Sequence, residues 1–312
     1  MAYYQCSKVL KMRRAAMGNK RDDFDVEGPS GMTVYRLEES KHMGTERTYR
    51  RLTRCMGVEE SLGQGILKTA DMENLVGMNE IMRSINQKQF CEAEELMESI
   101  KDKIDTEVPR NKQYIIAKHA ELQFQQHIIT AEEYEKRIKE ALAYTVLTFN
   151  EKGVEGWPLH DEELVLIVAL NNVYKAQKKY EEQKRLAISV RKSLEQEYLN
   201  SELRVRHYVI SSIALADALG SMCCHRDAIK VDYETILFCK EMGEFRNIEH
   251  AYYDIHWNYW KIKEKETLTE AEESECYQCL LQAYYINKAK GSVKSLYEQR
   301  LKSRYPEALG TN

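Results

Sequence analysis

The chain has 312 residues, of which 31% are charged, and a formal net charge of −4. Only 4 prolines and 14 glycines are present, which argues against a turn-rich β-sandwich and favours long helices. No stretch approaches the roughly 18 uncharged apolar residues of a membrane span, and the first residues lack a signal-peptide pattern. Eight cysteines are too few for a disulfide scaffold. We therefore predict an all-α, cytoplasmic protein without membrane contact.

Charge is unevenly distributed along the chain. Residues 1–60 contain 12 lysines and arginines against 9 aspartates and glutamates, a net charge of +3, which leaves −7 for the remainder. A basic head on an acidic body is expected when only the head meets a polyanion.

Four short helices are predicted in this head, at residues 6–17, 20–26, 30–40 and 45–57. In the third, Ser30 is the expected N-cap, and Val34 and Leu37, with Met32 as a less regular member, form the inward face. In the fourth, the spacing predicts that three apolar side chains face inward while arginines cover the remaining surface. Those inward residues are Tyr49, Leu52 and Met56.

The stretch TVYRLEESKH resembles the end of the recognition helix of Xre-type helix-turn-helix domains, and TYRRLTRCMGV is similar to the closing helix of that family. The match covers about residues 7–58. The resemblance implies contacts with double-stranded DNA through the major groove and the phosphates. Base contacts would come from Gly31, Met32, Thr33 and Arg36, phosphate contacts from Arg13, Lys41, Arg47 and Arg50, and a further contact from Ser30.

The head also departs from the family pattern. Asp22, Asp23 and Asp25 lie where the family's second helix usually presents Gln or Ser followed by Leu-Ala. Carboxylates near phosphate are repelled, so the alternative is a degenerate head used for dimerisation or protein contact.

From about residue 66, amphipathic helices recur in pairs that resemble tetratricopeptide repeats. Aromatic and small residues stand where that family lets two helices approach, namely Phe90 and Ala93, Tyr174 and Tyr180, and Leu219 and Ala228. Asn172 aligns with Asp217, 45 residues on, and with Asn258, 41 further, so the period exceeds the usual ~34 residues. The resemblance implies a right-handed superhelix with a concave groove.

First helices of such repeats line the groove, where asparagine side chains can bond the backbone of an extended peptide. The alignment predicts that a short signalling peptide contacts Lys118, Gln125, Val168, Asn172, Lys175, Ile213, Asp217, Asp254 and Asn258.

No catalytic or cofactor motif is recognisable. The CCH run at residues 223–225 and the C-x-x-C at 276–279 lie in helical patterns, where adjacent cysteines diverge, so they do not converge as zinc ligands. We predict no metal, no cofactor and no enzymatic activity, with an enzyme that lacks a local signature as the remote alternative.

Together, the order of parts resembles the peptide-responsive regulators grouped as the Rgg, PlcR and PrgX relatives. The resemblance implies an Xre-like helix-turn-helix domain at 1–60, a linker and linker helix at 61–80, and a tetratricopeptide-like domain at 81–312. It also implies a homodimeric transcription regulator that senses a peptide, as in quorum sensing. The competing interpretation is a protein-interaction scaffold whose head no longer binds DNA.

Overall fold

The computed structural model describes residues 6–24, 28–41, 44–56, 72–101, 103–291 and 296–309. These residues form helices and connecting turns, with no β-strand among them, so the predicted all-α class is confirmed. The helices are α1 (Cys6–Ala16), α2 (Gly31–Glu38), α3 (Glu46–Cys55), α4 (Met72–Asn86), α5 (Phe90–Lys101), α6 (Pro109–Gln125), α7 (Ala131–Ala143), α8 (Phe149–Lys152), α9 (Asp161–Ala176), α10 (Tyr180–Leu194), α11 (Ser201–Ser221), α12 (His225–Met242), α13 (Ile248–Lys263), α14 (Glu270–Ala289) and α15 (Leu296–Arg304). Short 3-10 helices span Arg21–Phe24 and Pro306–Leu309.

The chain divides into two compact units. Unit 1 comprises Met1–Gln177 with Lys192–Asn200, and unit 2 comprises Lys178–Arg191 with Ser201–Asn312. Helix α4 packs against α5, so residues 72–80 of the predicted linker belong to a helix pair. The rest of that linker, 61–71, lies outside the described residues, and the predicted domain boundaries stay predictions.

The head, α1 to α3, has a small apolar core within unit 1. Val34 and Leu37 of α2 and Leu52 and Met56 of the α3 segment are buried, as their spacing predicts. The prediction for Met32 is wrong, because its side chain is 60% exposed. Met32 stands two positions before Val34, which turns it about 200° around the helix at 3.6 residues per turn.

Further core residues of the head come from α1 and the 3-10 helix, and they are Val9, Leu10 and Phe24. Helix α2 thus packs against α1 and the first 3-10 helix on the side away from its exposed face.

The body consists of consecutive helix pairs, including α4 with α5, α6 with α7, α11 with α12 and α13 with α14. Small residues lie at the tight contacts: Ala93 and Ala228 are fully buried, as the repeat resemblance implies. Because an alanine leaves little bulk between two helices, their backbones approach closely and bury the apolar faces of both.

One turn geometry recurs within the pairs. Lys88, His127, Lys178 and Cys223 each lie two residues after a helix ends and have φ between 59° and 62°. After α4, α6 and α11 the next amide reaches back to a carbonyl five residues earlier, as in Gln89 N to Ser84 O at 2.8 Å. This left-handed helix stop is the Schellman motif. The turn is constant while helix and loop lengths vary, which explains the irregular sequence period.

None of the described helices combines the length and the apolar character needed to cross a membrane.

Candidate nucleic-acid interface and ligand-contacting residues

Helix α2 begins at a side-chain cap. The Ser30 Oγ accepts a hydrogen bond from the Thr33 backbone N–H at 3.4 Å, and the Ser30 and Thr33 hydroxyls are 3.0 Å apart. This bond satisfies one of the amide groups left free at a helix start. The predicted cap is therefore present, and it fixes where the exposed face of α2 begins.

The outward face of α2 carries an apolar and a cationic side chain. Met32 and Arg36 stand one helical turn apart and are both exposed, and Thr33 beside them is half-buried. No partner within the described residues pairs with the Arg36 guanidinium. An exposed arginine beside small and apolar groups is the combination that can bridge a guanine edge while contacting a thymine methyl.

The inner end of α2 carries a buried carboxylate. Glu38 accepts hydrogen bonds from Arg14 Nε at 2.5 Å and from Arg21 Nε at 2.8 Å, and its side chain is fully buried. One carboxylate therefore joins α1, the 3-10 helix and α2. Arg14 and Arg21 are committed to this internal contact, so they supply no free charge for phosphate.

Tyr35 lies between two cations on the side of α2. The Arg21 guanidinium is 4.9 Å from its ring centre and the Lys41 Nζ is 4.7 Å away, and that Nζ donates to the phenol oxygen at 2.8 Å. The hydrogen bond to Tyr35 raises the pKa of Lys41 above its ordinary value. Lys41 is exposed, so its positive charge is available at the predicted phosphate position.

The first residue of α2 is not accessible as predicted. Gly31 is buried, and a Cβ added there would lie 1.9 Å from Asp22 Oδ1. Gly31 is thus corrected from a base contact to a residue that permits close approach of the Asp22 carboxylate. A negative charge at the start of α2 interacts favourably with the helix dipole, but it also repels phosphate.

Arg13 is the clearest correction in the head. Its side chain is 2% exposed, Nη2 donates to His160 Nε2 at 2.7 Å, and the guanidinium lies 5.7 Å from the Trp157 ring centre. Burial, and then the positive charges of Arg110 and Arg13, lower the pKa of His160 well below its ordinary value, so the ring stays neutral and accepts this bond. Arg13 anchors α1 within unit 1 and cannot reach phosphate.

Helix α3 supplies further positive charge in the head. Thr45 caps its start by accepting from Thr48 N at 3.3 Å, and Arg47 and Arg54 are exposed. In the described part of the chain neither guanidinium has a carboxylate partner. The side chain of Arg50, a predicted phosphate contact, lies outside the described residues.

In unit 1, the predicted peptide contacts differ in accessibility. Asn172 and Lys175 of α9 are exposed, Val168 one turn earlier is half-buried, and Gln125 at the end of α6 is exposed. Lys118 is a correction: it is buried, with its Nζ bound to Glu121 Oε2 at 2.6 Å.

In unit 2, the predicted contacts Ile213, Asp217 and Asp254 are half-buried. Asn258 is 2% exposed, and its amide group donates to the Asp254 backbone oxygen and accepts from His225 Nδ1, both at 2.9 Å. Asn258 is therefore corrected to an internal residue, because its amide group bonds Asp254 of its own helix and His225 of α12.

One residue near these positions escaped the sequence analysis. Asp232 of α12 is 0% exposed, and neither carboxylate oxygen has a hydrogen-bond partner among the described residues. Burial, followed by the charges of Asp254 and Asp217, raises the pKa of Asp232 well above its ordinary value, while Arg191 lowers it. Its position could have been predicted from the sequence. Asp232 lies four residues after Ala228 and four before Ile236, so the helical period sets it on the buried face of α12.

The cysteines of the C-x-x-C stretch lie inside the protein. Cys276 and Cys279 are buried, and burial raises the pKa of Cys279 to about 12, which leaves the thiol protonated and unreactive. Across the described ranges, no three His, Cys, Asp or Glu side chains are arranged to hold a metal ion.

No protein-family model and no curated relative matches the sequence. Among solved structures, the chain is similar to Bacillus thuringiensis PlcR in complex with the peptide PapR7 and DNA, with a TM-score of 0.53 and 15% identity over 99% of this chain and 100% of that chain. ComR from S. thermophilus, in complex with DNA and its signalling peptide ComS, gives a TM-score of 0.43 and 13% identity over 96% and 97% of the two chains. The apo form of the competence regulator ComR from Streptococcus vestibularis gives 0.46 and 9% identity over 96% of each chain.

The likeness to PlcR extends over the head and the body, so the structural resemblance predicted from the sequence is confirmed at the level of the fold.

Proposed function

We propose that this chain is a cytoplasmic transcriptional regulator that binds double-stranded DNA through α2 and α3 and a short signalling peptide through the first helices of its repeats. The observation that carries the proposal is the fold likeness over 99% of the chain to a protein whose crystal structure contains both a peptide and DNA. The two ligand classes correspond to two separate sets of exposed or half-buried residues.

DNA binding is supported by the arginines of the head that are exposed and not bound to Glu38. Arg14 and Arg21 are bound to Glu38, whereas Arg36, Arg47 and Arg54 are exposed. Arg36 lies on the outward face of α2, where a bidentate contact with guanine is geometrically suitable. Arg47 and Lys41 flank that face and suit phosphate contacts.

For the peptide, the support is a set of accessible side chains on first helices of the repeats. Asn172 offers both a donor and an acceptor, which suits the amide groups of an extended backbone. The candidate contacts retained after the corrections are Gln125, Val168, Asn172, Lys175, Ile213, Asp217 and Asp254.

We also propose that the chain acts as a homodimer. A head with few free cations offers few phosphate contacts, and two heads reading two half-sites would multiply them and require a two-fold symmetric operator.

The competing function is a protein-interaction scaffold, and one observation favours it. The Asp22 carboxylate lies against the first residue of α2, and it opposes the approach of phosphate to that end of the helix.

The test is selection of genomic DNA fragments by the full-length protein at moderate salt, beside two arginine variants. Arg36→Ala removes the proposed base contact and should weaken binding to the selected site by about 1–3 kcal/mol. Arg185→Ala, an exposed arginine of α10 outside the head, changes the charge equally and should leave affinity unchanged.

Affinity for the selected site should also fall steeply with salt, because phosphate contacts release counterions. Equal losses in the two variants would contradict readout through α2. Absence of enriched DNA, even with cell extract present, would favour the scaffold.

A further inference from the structure

Lys41 is an exposed lysine whose backbone and side chain are both held by contacts with α2. Ser40 has a φ of 54°, and the Lys41 backbone N–H donates to the Arg36 carbonyl oxygen at 2.9 Å, which is the left-handed stop of a Schellman motif. The Lys41 Nζ donates to the Tyr35 hydroxyl at 2.8 Å. Both ends of this residue are therefore fixed, although its stem of four carbons is intrinsically flexible.

The ring of Tyr35 is in turn held from inside the head. The Arg21 guanidinium lies 4.9 Å from the ring centre, and Arg21 Nε donates to Glu38 Oε2 at 2.8 Å. The Glu38 side chain is fully buried and also pairs with Arg14. A continuous series of contacts thus leads from a buried carboxylate, through Arg21 and Tyr35, to the ammonium group of Lys41 at the surface.

This arrangement suits an ammonium group that binds phosphate. A free lysine side chain loses rotamer freedom when it binds, and a side chain that is already held in place loses less. The ammonium group has three donors. Its hydrogen bond to Tyr35 uses one of them, so two remain for phosphate oxygens.

We propose that Tyr35 is a positioning residue, which holds the Lys41 ammonium group in place for a phosphate of the bound DNA. This inference rests on the proposed DNA-binding function and adds to it a residue that is not among the predicted contacts. Tyr35 acts through Lys41. A phosphate contact fixes the placement of the head and carries no sequence information, so the effect of Tyr35 should be the same at every DNA sequence.

The variant Tyr35→Phe tests the hydrogen bond alone, because it removes the hydroxyl and keeps the ring beside Arg21. Without DNA, the Tyr35 hydroxyl raises the pKa of Lys41 above its ordinary value. NMR titration of the full-length protein with ¹³C-labelled lysine should therefore show a lower pKa for Lys41 in Tyr35→Phe. The signal of Lys41 is assigned by its loss in Lys41→Ala.

The DNA experiment is a double-mutant cycle on the full-length protein, with fluorescence anisotropy of a labelled, selected site. Tyr35→Phe should weaken binding about threefold, the scale of one exposed polar contact. In the Lys41→Ala background, Tyr35→Phe should have no further effect, because the group it positions is gone. A purely structural role of Tyr35 would weaken binding equally in both backgrounds.

Salt dependence separates positioning from charge. Lys41→Ala removes a phosphate contact and should reduce the slope of log affinity against log salt by about 1. Tyr35→Phe keeps the lysine charge and should leave that slope unchanged. Tyr285→Phe, which removes an exposed hydroxyl outside the head, should change neither affinity nor slope. Circular dichroism would verify that each variant is folded.

Unchanged affinity in Tyr35→Phe, while Arg36→Ala still loses the selected site, would overturn this inference and leave the proposed function intact. A threefold loss that persists in the Lys41→Ala background would also overturn it. If no DNA is selected at all, the proposed function fails, and the phosphate role of Lys41 and Tyr35 fails with it. An unchanged pKa of Lys41 in Tyr35→Phe would contradict the hydrogen bond itself.

Discussion

Two buried carboxylates, one in the head and one in unit 2, have opposite surroundings. Glu38 receives two arginines at 2.5 and 2.8 Å. Asp232 has no hydrogen-bond donor among the described residues and lies near two further aspartates. The first carboxylate holds three segments together, whereas burial and the neighbouring aspartates favour the protonated form of the second. Burial of an acidic residue therefore accompanies an ion-paired carboxylate in one region and a carboxyl group favoured in its protonated form in the other.

The largest change in stability is expected when the charge of Glu38 is removed. Glu38→Gln should lower the free energy of unfolding by about 3 kcal/mol, because Arg14 and Arg21 lose the charge that compensates their partial burial. Chemical denaturation followed by circular dichroism would measure this change.

The neighbouring residue provides the control for Glu38. Glu39 pairs with Lys11 at 3.1 Å at the surface, so Glu39→Gln should change the free energy of unfolding by less than about 1 kcal/mol. Similar effects of the two substitutions would contradict the assignment of Glu38 as a central structural contact.

Asp232→Asn should act in the opposite direction, with a smaller effect that depends on pH. Because the pKa of Asp232 is raised in the folded chain, the folded state retains a proton that the unfolded state has already lost. The free energy of unfolding of the unsubstituted chain therefore falls as pH rises above about 4, the ordinary aspartate pKa. Asp232→Asn removes this dependence. The free energy of unfolding of the variant should therefore rise, relative to that of the unsubstituted chain, between pH 4 and pH 8.

Thermal unfolding at several pH values would test this expectation. Asp227→Asn changes an exposed carboxylate. Its unfolding temperature should follow that of the unsubstituted chain at every pH. If the difference in unfolding temperature between Asp232→Asn and the unsubstituted chain stays constant with pH, the protonated state of Asp232 is contradicted.

The smallest expected effect concerns a third, exposed carboxylate. If α2 meets DNA, Asp22→Asn should increase affinity for the selected site about threefold, comparable to the effect of one exposed charge pair. Fluorescence anisotropy with a labelled site would measure it, and Asp227→Asn should leave affinity unchanged. Equal or weaker binding by Asp22→Asn would indicate that Asp22 supports the position of α2 more than it repels phosphate.

Local patterns predicted the helices and the inward residues well. The first helix was expected at 6–17 and spans Cys6–Ala16, and the spacing of Leu52 and Met56 identified both as buried. Such features depend on residues a few positions apart, which the hydrophobic period reports directly. Asp232 could have been recognised in the same way, from its spacing to Ala228 and Ile236.

Two of the errors arise from contacts between distant residues. Arg13 was expected at the surface because it belongs to a basic stretch, yet its partners, Trp157 and His160, follow about 145 positions later. Asn258 lies at an aligned repeat position, but its side-chain oxygen accepts a hydrogen bond from His225 on another helix. No local pattern contains these partners, so the sequence alone could not distinguish a contact residue from an internal one.

The burial of Arg13 has a mechanical consequence. For α1 to leave its position in unit 1, a guanidinium must be withdrawn from an aromatic face and a buried imidazole must lose its donor at the same moment. Partial withdrawal would leave a buried guanidinium without its hydrogen bond, which is unfavourable. Reorientation of the head would therefore proceed as a discrete step with a threshold rather than as a gradual swing.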